Sequence, residues 1–260
     1  MEEQTLKSWE EFERALEKTD NETRSLQEQA WSSVSYPLFR GVADSKYHLE
    51  STLDRIKKEM KLSDYIIKVK IVHEHVTTCT GTKWDLEKEI PYGEVKLPAY
   101  EFMVYLRHNG FPSPLIDWTR SPYIAAYFAF RDINSKADHV SIFVYREYCG
   151  GSKEWSGNEP HLHTLGPSIA TAHTHFLQQS EYLFCVKRNS EGELVFADYE
   201  GIPPYENQNI MVKYNIPGSE RKKVLKKLDL MNITAYSLFG SEPSLMETLA
   251  LREIFFKIEN

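Results

Sequence analysis

Apolar positions along the chain follow two different spacings, and these predict where helices and strands form. Residues at intervals of three and four, such as Trp9, Phe12 and Leu16, are typical of amphipathic helices, whereas alternating or continuous apolar runs are typical of strands. The spacing predicts helices over 9–16, 26–32, 63–76, 99–108, 219–231 and 244–256, and one that begins at Ser121. It predicts strands over 36–42, 139–145, 181–186 and 209–216. The polar segment TDNETRS is expected to separate the first two helices.

Two stretches lack these spacings and are rich in glycine and polar residues. We interpret 79–97 as a lid or insertion and 150–167 as a long loop. Helices, then strands interrupted by helices and loops, favour an α+β fold with a mixed, mostly antiparallel sheet flanked by helices. No internal repeat or shift in composition divides the chain. We therefore predict a single domain over residues 1–260, with an N-terminal helical segment over about 1–35.

Composition and charge narrow the classes of partner. The formal net charge of -7 argues against a broadly basic surface for nucleic acid. The basic helix at 219–231 remains a candidate contact for a nucleic-acid backbone, the alternative being a solvated helix face. No apolar run approaches membrane-spanning length and the N-terminus lacks a signal-peptide pattern, so we expect no membrane partner. Three widely spaced cysteines argue against a disulfide framework, and a cytoplasmic location is expected.

The strongest local signal for chemistry is the stretch HNGFPSPLIDWTRSPYIAAYFAF at 108–130. Pro112 and Pro114 end the element before them, and a polar cluster follows directly before the helix predicted at Ser121. Serine is a good N-cap, and proline is well tolerated at the first helical position. Because the first turn of a helix leaves backbone N–H groups without partners, such a cluster can bind an anion or a carbonyl group.

Two shorter motifs carry groups suited to a charged ligand. In Phe-Arg-Gly at 39–41, the arginine offers a rigid fork of donors for phosphate or carboxylate, and the glycine allows close backbone approach to a ligand. A surface ion pair beside a turn is the alternative. In Gln-Ser-Glu at 179–181, the carboxylate could hold a ribose hydroxyl or stabilise a developing cation, and the alternative is a solvated junction between a loop and a strand.

Histidines occur in three His-x-His pairs, at 73 and 75, at 161 and 163, and at 173 and 175. On a strand, such a pair would share one face and could chelate zinc, whereas on a helix the two rings would point apart. No Cys-x-x-Cys or His-Glu-x-x-His accompanies them, so we expect no metal. Glycine motifs of serine hydrolases and of Walker or dinucleotide-binding loops are also missing from the sequence.

Taken together, these segments resemble the FRG domain family, which is named for the Phe-Arg-Gly of its first motif. The resemblance runs in order through SWEEFERAL, LFRGVADSKYHLESTLDR, the 108–130 stretch and HFLQQSEYLFCV, and ends with IPGSERKKVLKKLDLMNI and YSLFGSEPSLMETL. It covers most of the chain. The family itself resembles a divergent ADP-ribosyltransferase fold, which implies a split sheet and an NAD site built from three spaced elements.

The resemblance assigns roles to residues of the first two elements. Arg40 would contact the ribose and phosphates of NAD, with the backbone of Gly41 near the nicotinamide amide. Thr119 and Ser121 would form the second, hydroxyl-bearing element. Three further residues match the family's motifs and would also bind the cofactor: Arg55, His108 and Asp117.

The third element implied by the resemblance is the segment from Gln178 to Glu181. Glu181 would hold the ribose hydroxyl and stabilise the oxocarbenium-like state as nicotinamide leaves, and Gln179 would position the acceptor. Gln178 is a rival for the key position. These assignments require that Arg40 and the amide–acid group face each other across one cleft.

The function that the resemblance implies is that of an NAD-dependent mono-ADP-ribosyltransferase. It would be the toxin of a bacterial toxin–antitoxin or phage-defence system, with an antitoxin or other inhibitory protein as a candidate partner. Its acceptor would be nucleic acid or a protein of the translation machinery, and a Gln-x-Glu arrangement favours nucleic acid. Two alternatives stay open: an NAD glycohydrolase that uses water as the acceptor, and a non-catalytic ligand-binding or sensor module of the same fold.

Overall fold

The computed structural model describes residues 1–30, 33–92, 95–151, 153, 157–166, 173–202 and 207–258. Its helices are α1 (Trp9–Gln29), α2 (Leu62–Thr80), α3 (Tyr100–His108), α4 (Pro122–Phe130), α5 (His173–Leu177), α6 (Arg221–Leu230), α7 (Ala235–Phe239) and α8 (Glu242–Glu253). Its strands are β1 (Glu2–Thr5), β2 (Leu38–Val42), β3 (Glu89–Tyr92), β4 (Val95–Pro98), β5 (Ile116–Thr119), β6 (His139–Tyr148), β7 (His161–Leu165), β8 (Ser180–Arg188), β9 (Leu194–Phe196) and β10 (Gln208–Pro217).

Most strands form one eight-stranded sheet in the order β1-β10-β6-β2-β5-β8-β7, with β9 paired to the end of β8. Strands β1 and β10 run parallel, and the other described pairs in the sheet are antiparallel. Strands β3 and β4 form a separate hairpin. Helices pack on the sheet through two apolar clusters, one around α4 and the other around α2 and α3. The predicted α+β fold, with a mixed and mostly antiparallel sheet flanked by helices, is confirmed.

The sheet is weakest in its middle, between β2 and β5. These strands pair only through Phe39 and Thr119, whereas β2 pairs with β6 from Leu38 to Val42 and β5 pairs with β8 along its whole length. Beyond the single pair the two strands separate. The gap opens beside Arg40 and Asp117, and this break in the sheet positions the candidate site.

Helix α4 crosses one face of the sheet and is buried on nearly all sides. It begins where the sequence predicts, because Oγ of Ser121 accepts a hydrogen bond from the backbone N of Ile124 at 3.3 Å and proline occupies the first turn. A Cβ atom added to Gly41 would lie 1.8 Å from the carbonyl oxygen of Ala125. The glycine of Phe-Arg-Gly is therefore required by the packing of α4 on β2, a role that the sequence did not suggest.

Helix α1 runs unbroken through TDNETRS, so the predicted break is wrong. The hydroxyl groups of Thr19 and Thr23 donate to the carbonyl oxygens of Ala15 and Thr19 at 2.9 and 2.7 Å. Arg146 of β6 donates to Oγ1 of Thr23 at 2.8 Å. Polar side chains that bond to their own helix and to the sheet do not end a helix. Residues 31 and 32 of the predicted second helix lie outside the described residues.

The stretches interpreted as a lid and a loop contain regular structure. Helix α2 continues to Thr80, and the β3–β4 hairpin occupies the end of 79–97. Strand β7 lies within 150–167 and pairs with β8, while residues 152, 154–156 and 167 of that stretch lie outside the described part. The N-terminal segment also contributes a strand, β1, besides its helix. Within the described ranges, none of the helices has the length and apolar character needed to cross a membrane.

Candidate functional site

A cavity of about 280 Å³ opens where β2 and β5 separate, and we call it the β2–β5 cleft. Its lining residues come from distant parts of the chain: Phe39, Arg40, Gly41, His108, Asp117, Trp118, Thr119, Ala125, Phe128, Gln178 and Ser180. Among them are six residues that the sequence singled out, namely Arg40, Gly41, His108, Asp117, Thr119 and Gln178. The fold therefore brings together residues of all three predicted elements, although not every residue predicted for them.

Arg40 bridges the gap between the two strands. Its Nη1 donates to the backbone carbonyl oxygen of Asp117 at 2.6 Å and lies 4.0 Å from the Oδ2 atom of that residue. Nη2 of Arg107 donates to the same Oδ2 atom at 2.7 Å. The other carboxylate oxygen of Asp117 is buried and has no hydrogen-bond partner. The sequence did not indicate Arg107, because its partner lies ten positions further along the chain, beyond two prolines.

The charges around Asp117 leave the cleft positive. Burial alone would raise the pKa of Asp117, but the guanidinium groups of Arg107 and Arg40 outweigh burial and hold that pKa below its ordinary value. Burial lowers the pKa of Arg40; Asp117 opposes this effect, and the positive charges of Arg107 and Arg55 add to it. Two guanidinium groups thus share one carboxylate, which favours binding of an anion.

His108 lies at the end of α3 and reaches β8 through a short hydrogen bond. Its Nε2 is 2.5 Å from the hydroxyl oxygen of Tyr182, and the same oxygen is 3.2 Å from Nδ1 of His175. Tyr182 is fully buried, and its ring stacks on His175 at a centroid distance of 5.5 Å. Burial raises the pKa of Tyr182 far above its ordinary value, so the phenol stays neutral. His108 thus ends an imidazole–phenol–imidazole chain that runs inward from the cleft.

The hydroxyl groups of the predicted second element, those of Thr119 and Ser121, form hydrogen bonds with the backbone. Oγ1 of Thr119 donates to the carbonyl oxygen of Gln178 at 2.7 Å and accepts from the backbone N of Ser121 at 3.1 Å. Ser121 caps α4 and is not among the residues that line the cleft. The side chain of Gln178 donates to the carbonyl oxygen of Leu238 at 3.1 Å. Thr119 therefore fixes Gln178 beside β5, and the role predicted for Ser121 in binding is replaced by helix capping.

Glu181 lies outside the β2–β5 cleft, contrary to the expectation that it faces Arg40. Successive residues of a strand point to opposite faces, so Ser180 lines the cleft and Glu181 lines a different cavity of about 440 Å³. We call this cavity the Glu181 pocket; it is lined by Ser35, Tyr36, Leu38, Arg120, Tyr145, Glu147, Thr164 and Glu181. Gln179 is exposed in the turn before β8, with a φ of 49°, and lines neither cavity. Of the predicted trio, only Gln178 shares a cleft with Arg40.

In the Glu181 pocket, the buried carboxylate is paired with Arg120. Nε of Arg120 donates to Oε1 of Glu181 at 2.6 Å, and the second guanidinium nitrogen contacts the same oxygen. Oε2 of Glu181 has no hydrogen-bond partner, and the residue is only 3% exposed. Burial raises the pKa of Glu181, and Arg120 partly opposes that rise. The pair stabilises the junction of β5 and β8, which is a structural explanation for the acid.

Comparison with known proteins identifies one family over part of the chain. Residues 35–138 match the FRG domain. No curated protein and no solved structure matches the chain. The FRG match includes all of the cleft residues that the sequence predicted except Gln178, which lies after the matched range.

Arg55 lies within the FRG match but does not line the β2–β5 cleft. Its side chain is 59% exposed, and its Nε is 3.8 Å from a carboxylate oxygen of Glu50. The positive charge of Arg55 still acts on Arg40. Arg55 therefore lies outside the cleft and acts on Arg40 through its charge.

Outside the FRG match, the basic helix α6 has its charges engaged by other elements. Lys223 pairs with Glu10 and Glu220, and Lys227 pairs with Glu13 of α1. Arg221 is buried and donates to the carbonyl oxygen of Phe130 at 3.2 Å. These contacts explain the basic run as a means of docking α6, and a nucleic-acid contact at this helix stays a prediction.

Two of the three histidine pairs lie on different kinds of element, one on a helix and one on a strand. His73 and His75 lie on α2, as predicted, whereas His161 and His163 lie on β7 with their ring centroids 4.8 Å apart. Burial lowers the pKa of both β7 histidines to about 3. Among the described residues, no cluster of three or more histidine, cysteine or acidic side chains could hold a metal ion.

Replacing Arg120 by alanine should destabilise the protein by an amount that depends on pH. The change leaves Glu181 buried without a partner, and we expect a loss of about 1–2 kcal/mol at neutral pH, less than for a fully buried pair because Arg120 is 56% exposed. A carboxyl group whose pKa is raised in the folded state gains stability as the pH falls through that pKa. The deficit relative to wild type should therefore shrink as the pH falls from neutral to acidic values and Glu181 becomes protonated.

Thermal unfolding of Arg120→Ala and wild type across this pH range measures the effect. Arg24→Ala is a matched control, because it removes an exposed i,i+4 pair with Asp20. The control should change stability by no more than about 0.5 kcal/mol at any pH. An Arg120→Ala deficit that is equally large at both ends of the range would contradict the assignment of Glu181 as the buried partner.

Proposed function

We propose that the protein is an NAD-dependent mono-ADP-ribosyltransferase and that the β2–β5 cleft is its NAD site. The observation that carries the proposal is the convergence of Arg40, Gly41, His108 and Gln178 on one positive cleft at a break in the sheet. The FRG match over 35–138 includes Arg40, Gly41 and His108 but not Gln178. A cleft of about 280 Å³ is at the small end for ligand sites, and it would enclose one half of a dinucleotide.

The chemistry that the cleft offers suits the diphosphate and nicotinamide riboside parts of NAD. Arg40 donates to the backbone carbonyl oxygen of Asp117, Arg107 donates to the carboxylate of that residue, and Arg40 retains further donors for phosphate oxygens. Arg55 would extend this positive region toward the solvent. Gly41 would present its backbone to the nicotinamide amide. Fixed donors of this kind hold the substrate in one orientation, which lowers the barrier to its reaction.

In this proposal Asp117, rather than Glu181, stabilises the oxocarbenium-like state. Departure of nicotinamide leaves positive charge at the anomeric carbon, and a fixed anion beside that carbon stabilises the transition state. Among the described residues that line the cleft, Asp117 is the only carboxylate. Its side chain is 36% exposed, and its pKa is low enough for the group to be ionised at neutral pH. Oδ2 is occupied by Arg107, which fixes the orientation of the group.

Incubation of the protein with labelled NAD and with total RNA, DNA or cell lysate tests the proposal. Transfer of label to any fraction supports the transferase and names the acceptor class. Release of free ADP-ribose without transfer supports the NAD glycohydrolase instead. If neither product forms, the proposed catalysis is contradicted. The non-catalytic ligand-binding module of the same fold then remains.

The acceptor and the biological setting rest on the resemblance. A protein is favoured over nucleic acid as the acceptor, because two lysines of α6 that would contact a phosphate backbone, Lys223 and Lys227, are paired with acids of α1. A role as a toxin predicts that expression of the wild-type chain inhibits growth and that Arg40→Ala relieves the inhibition. An antitoxin would be the partner that makes wild-type expression tolerable.

A further inference from the structure

The chain of hydrogen bonds behind the cleft constrains the protonation of His108. The hydroxyl group of Tyr182 lies between Nε2 of His108 and Nδ1 of His175, at 2.5 and 3.2 Å. A phenol has one proton, which Tyr182 can donate to one of the two ring nitrogens or to the side chain of Ser180, and its oxygen accepts from the remaining ring N–H groups. When His175 or Ser180 accepts that proton, Nε2 of His108 donates. The lone pair of the neutral His108 ring is then on Nδ1, the nitrogen that the chain does not use.

The two ends of this chain differ in their exposure. Tyr182 and His175 are buried, whereas His108 is only partly buried, reaches the surface at the end of α3 and lines the β2–β5 cleft. A basic imidazole nitrogen is therefore available at the same cleft as Arg40 and Asp117. Its ring is held in orientation by an edge-on contact with Tyr182, with centroids 5.9 Å apart at 90°.

We propose that His108 is the general base of the cleft and that Tyr182 and His175 are positioning residues that keep its Nδ1 atom unprotonated. The inference rests on the proposed function, since it assigns the base for that reaction. The attacking group of the acceptor gives its proton to Nδ1 of His108 as its oxygen or nitrogen bonds to the anomeric carbon of NAD. The bond from that carbon to the nicotinamide nitrogen breaks, and its electron pair leaves with neutral nicotinamide.

This assignment narrows the chemical class of the acceptor. A base is needed only when the attacking atom carries a proton that it must lose, as in a hydroxyl group, an amide or amine N–H, or water. A ring nitrogen that carries no proton would attack without help. The cleft is thus suited to O–H and N–H acceptors.

The groups that face His108 favour its neutral form. Burial has the largest influence and lowers the pKa of His108; the carboxylate of Asp117 raises it, and the guanidinium of Arg107 lowers it. Arg40 shares the cleft, and Tyr182 and His175 close the other side. The net pKa lies below the ordinary value for histidine, so the base is unprotonated at neutral pH. The rate should fall on the acid side only when the pH drops below that lowered pKa.

The experiment measures nicotinamide release from NAD by wild type, His108→Gln and His108→Ala, together with NAD binding by each. We expect kcat to fall on the order of 100-fold in both variants, with NAD affinity changed by no more than about 2-fold. The acid limb of the pH–rate profile should disappear in both. Added imidazole should restore part of the rate of His108→Ala and none of the rate of Arg40→Ala.

Two further variants separate the base from a structural role. Tyr182→Phe keeps the buried ring and removes the hydroxyl group, and it should lower kcat by about 10-fold without loss of NAD binding. His75→Ala, on the exposed face of α2, should leave the rate unchanged. Wild-type turnover with an unaltered His108→Gln profile would overturn the role of His108 and leave the proposed function standing. Failure of wild type to release nicotinamide overturns the proposed function, and this inference with it.

Discussion

Replacing Gly41 by alanine should destabilise the whole fold. The added Cβ atom would lie 1.8 Å from the carbonyl oxygen of Ala125 and 2.8 Å from the backbone N of Ala129, so α4 could no longer rest on β2. Overpacking of this kind costs about 3 kcal/mol at the upper end of measured values, and here backbone rather than a movable side chain must shift. The melting temperature should fall by roughly 6–12 °C, as measured by circular dichroism or calorimetry.

Gly166→Ala is the matched control for this prediction. Among the described residues, a Cβ atom at Gly166 would meet nothing within 4 Å, and the φ of this residue is not in the left-handed region. The control should therefore melt within about 2 °C of wild type. A Gly41→Ala variant that is as stable as the control would show that α4 does not pack on β2 as described.

Replacing Arg40 by alanine should abolish NAD turnover while leaving the protein folded. Arg40 joins β2 to β5 beyond their single backbone pair, because its Nη1 donates to the carbonyl oxygen of Asp117 at 2.6 Å. Its loss removes a fixed donor fork aimed at the ligand, and we expect kcat/KM to fall about 100-fold to 1,000-fold. Asp117 keeps its contact with Arg107 at 2.7 Å, so the carboxylate does not become unpaired and the loss of stability should be small.

Glu181→Gln is the counterpart in the Glu181 pocket. Glutamine keeps the size of the side chain and can still accept a hydrogen bond from Arg120, so the fold should be preserved. If the reaction takes place in the β2–β5 cleft, this variant should keep nearly full activity. If Glu181→Gln were inactive and Arg40→Ala were active, the reaction would belong to the Glu181 pocket.

The third predicted element shows where sequence reasoning reached its limit. Gln178, Gln179 and Glu181 are adjacent in the chain, and the motif treated them as one group. The turn before β8 exposes Gln179, and the alternation of the strand sends Ser180 and Glu181 to opposite faces. The pairing of β8 with β5, in which Glu181 lies opposite Trp118, determines the face of the sheet to which each side chain points. The motif alone does not reveal this pairing.

The first two elements were predicted better because local rules fix them. Ser121 and Pro122 carry capping signals that act within one turn, and the start of α4 follows from them. Arg40 was singled out by its chemistry and does lie in the cleft. Arg107 was missed, because its importance depends on a contact with Asp117 that only the tertiary fold creates.

Charge patterns misled where their partners are distant in sequence. The lysines of α6 suggested a surface for a phosphate backbone, but Lys227 pairs with Glu13, which is far away in the chain. In α1, the polar segment around Thr19 and Thr23 suggested a break, but Arg146 and the helix itself satisfy these groups. In both cases a polar run has a structural role that composition alone does not reveal.

A crystal structure of the protein with NAD, or with an analogue that resists cleavage of the nicotinamide bond, tests the central claim most directly. We predict density for the nicotinamide riboside between β2 and β5, with phosphate oxygens within hydrogen-bonding distance of Arg40 and the anomeric carbon next to the carboxylate of Asp117. Density for the ligand in the Glu181 pocket, with an empty cleft beside Arg40, would contradict it.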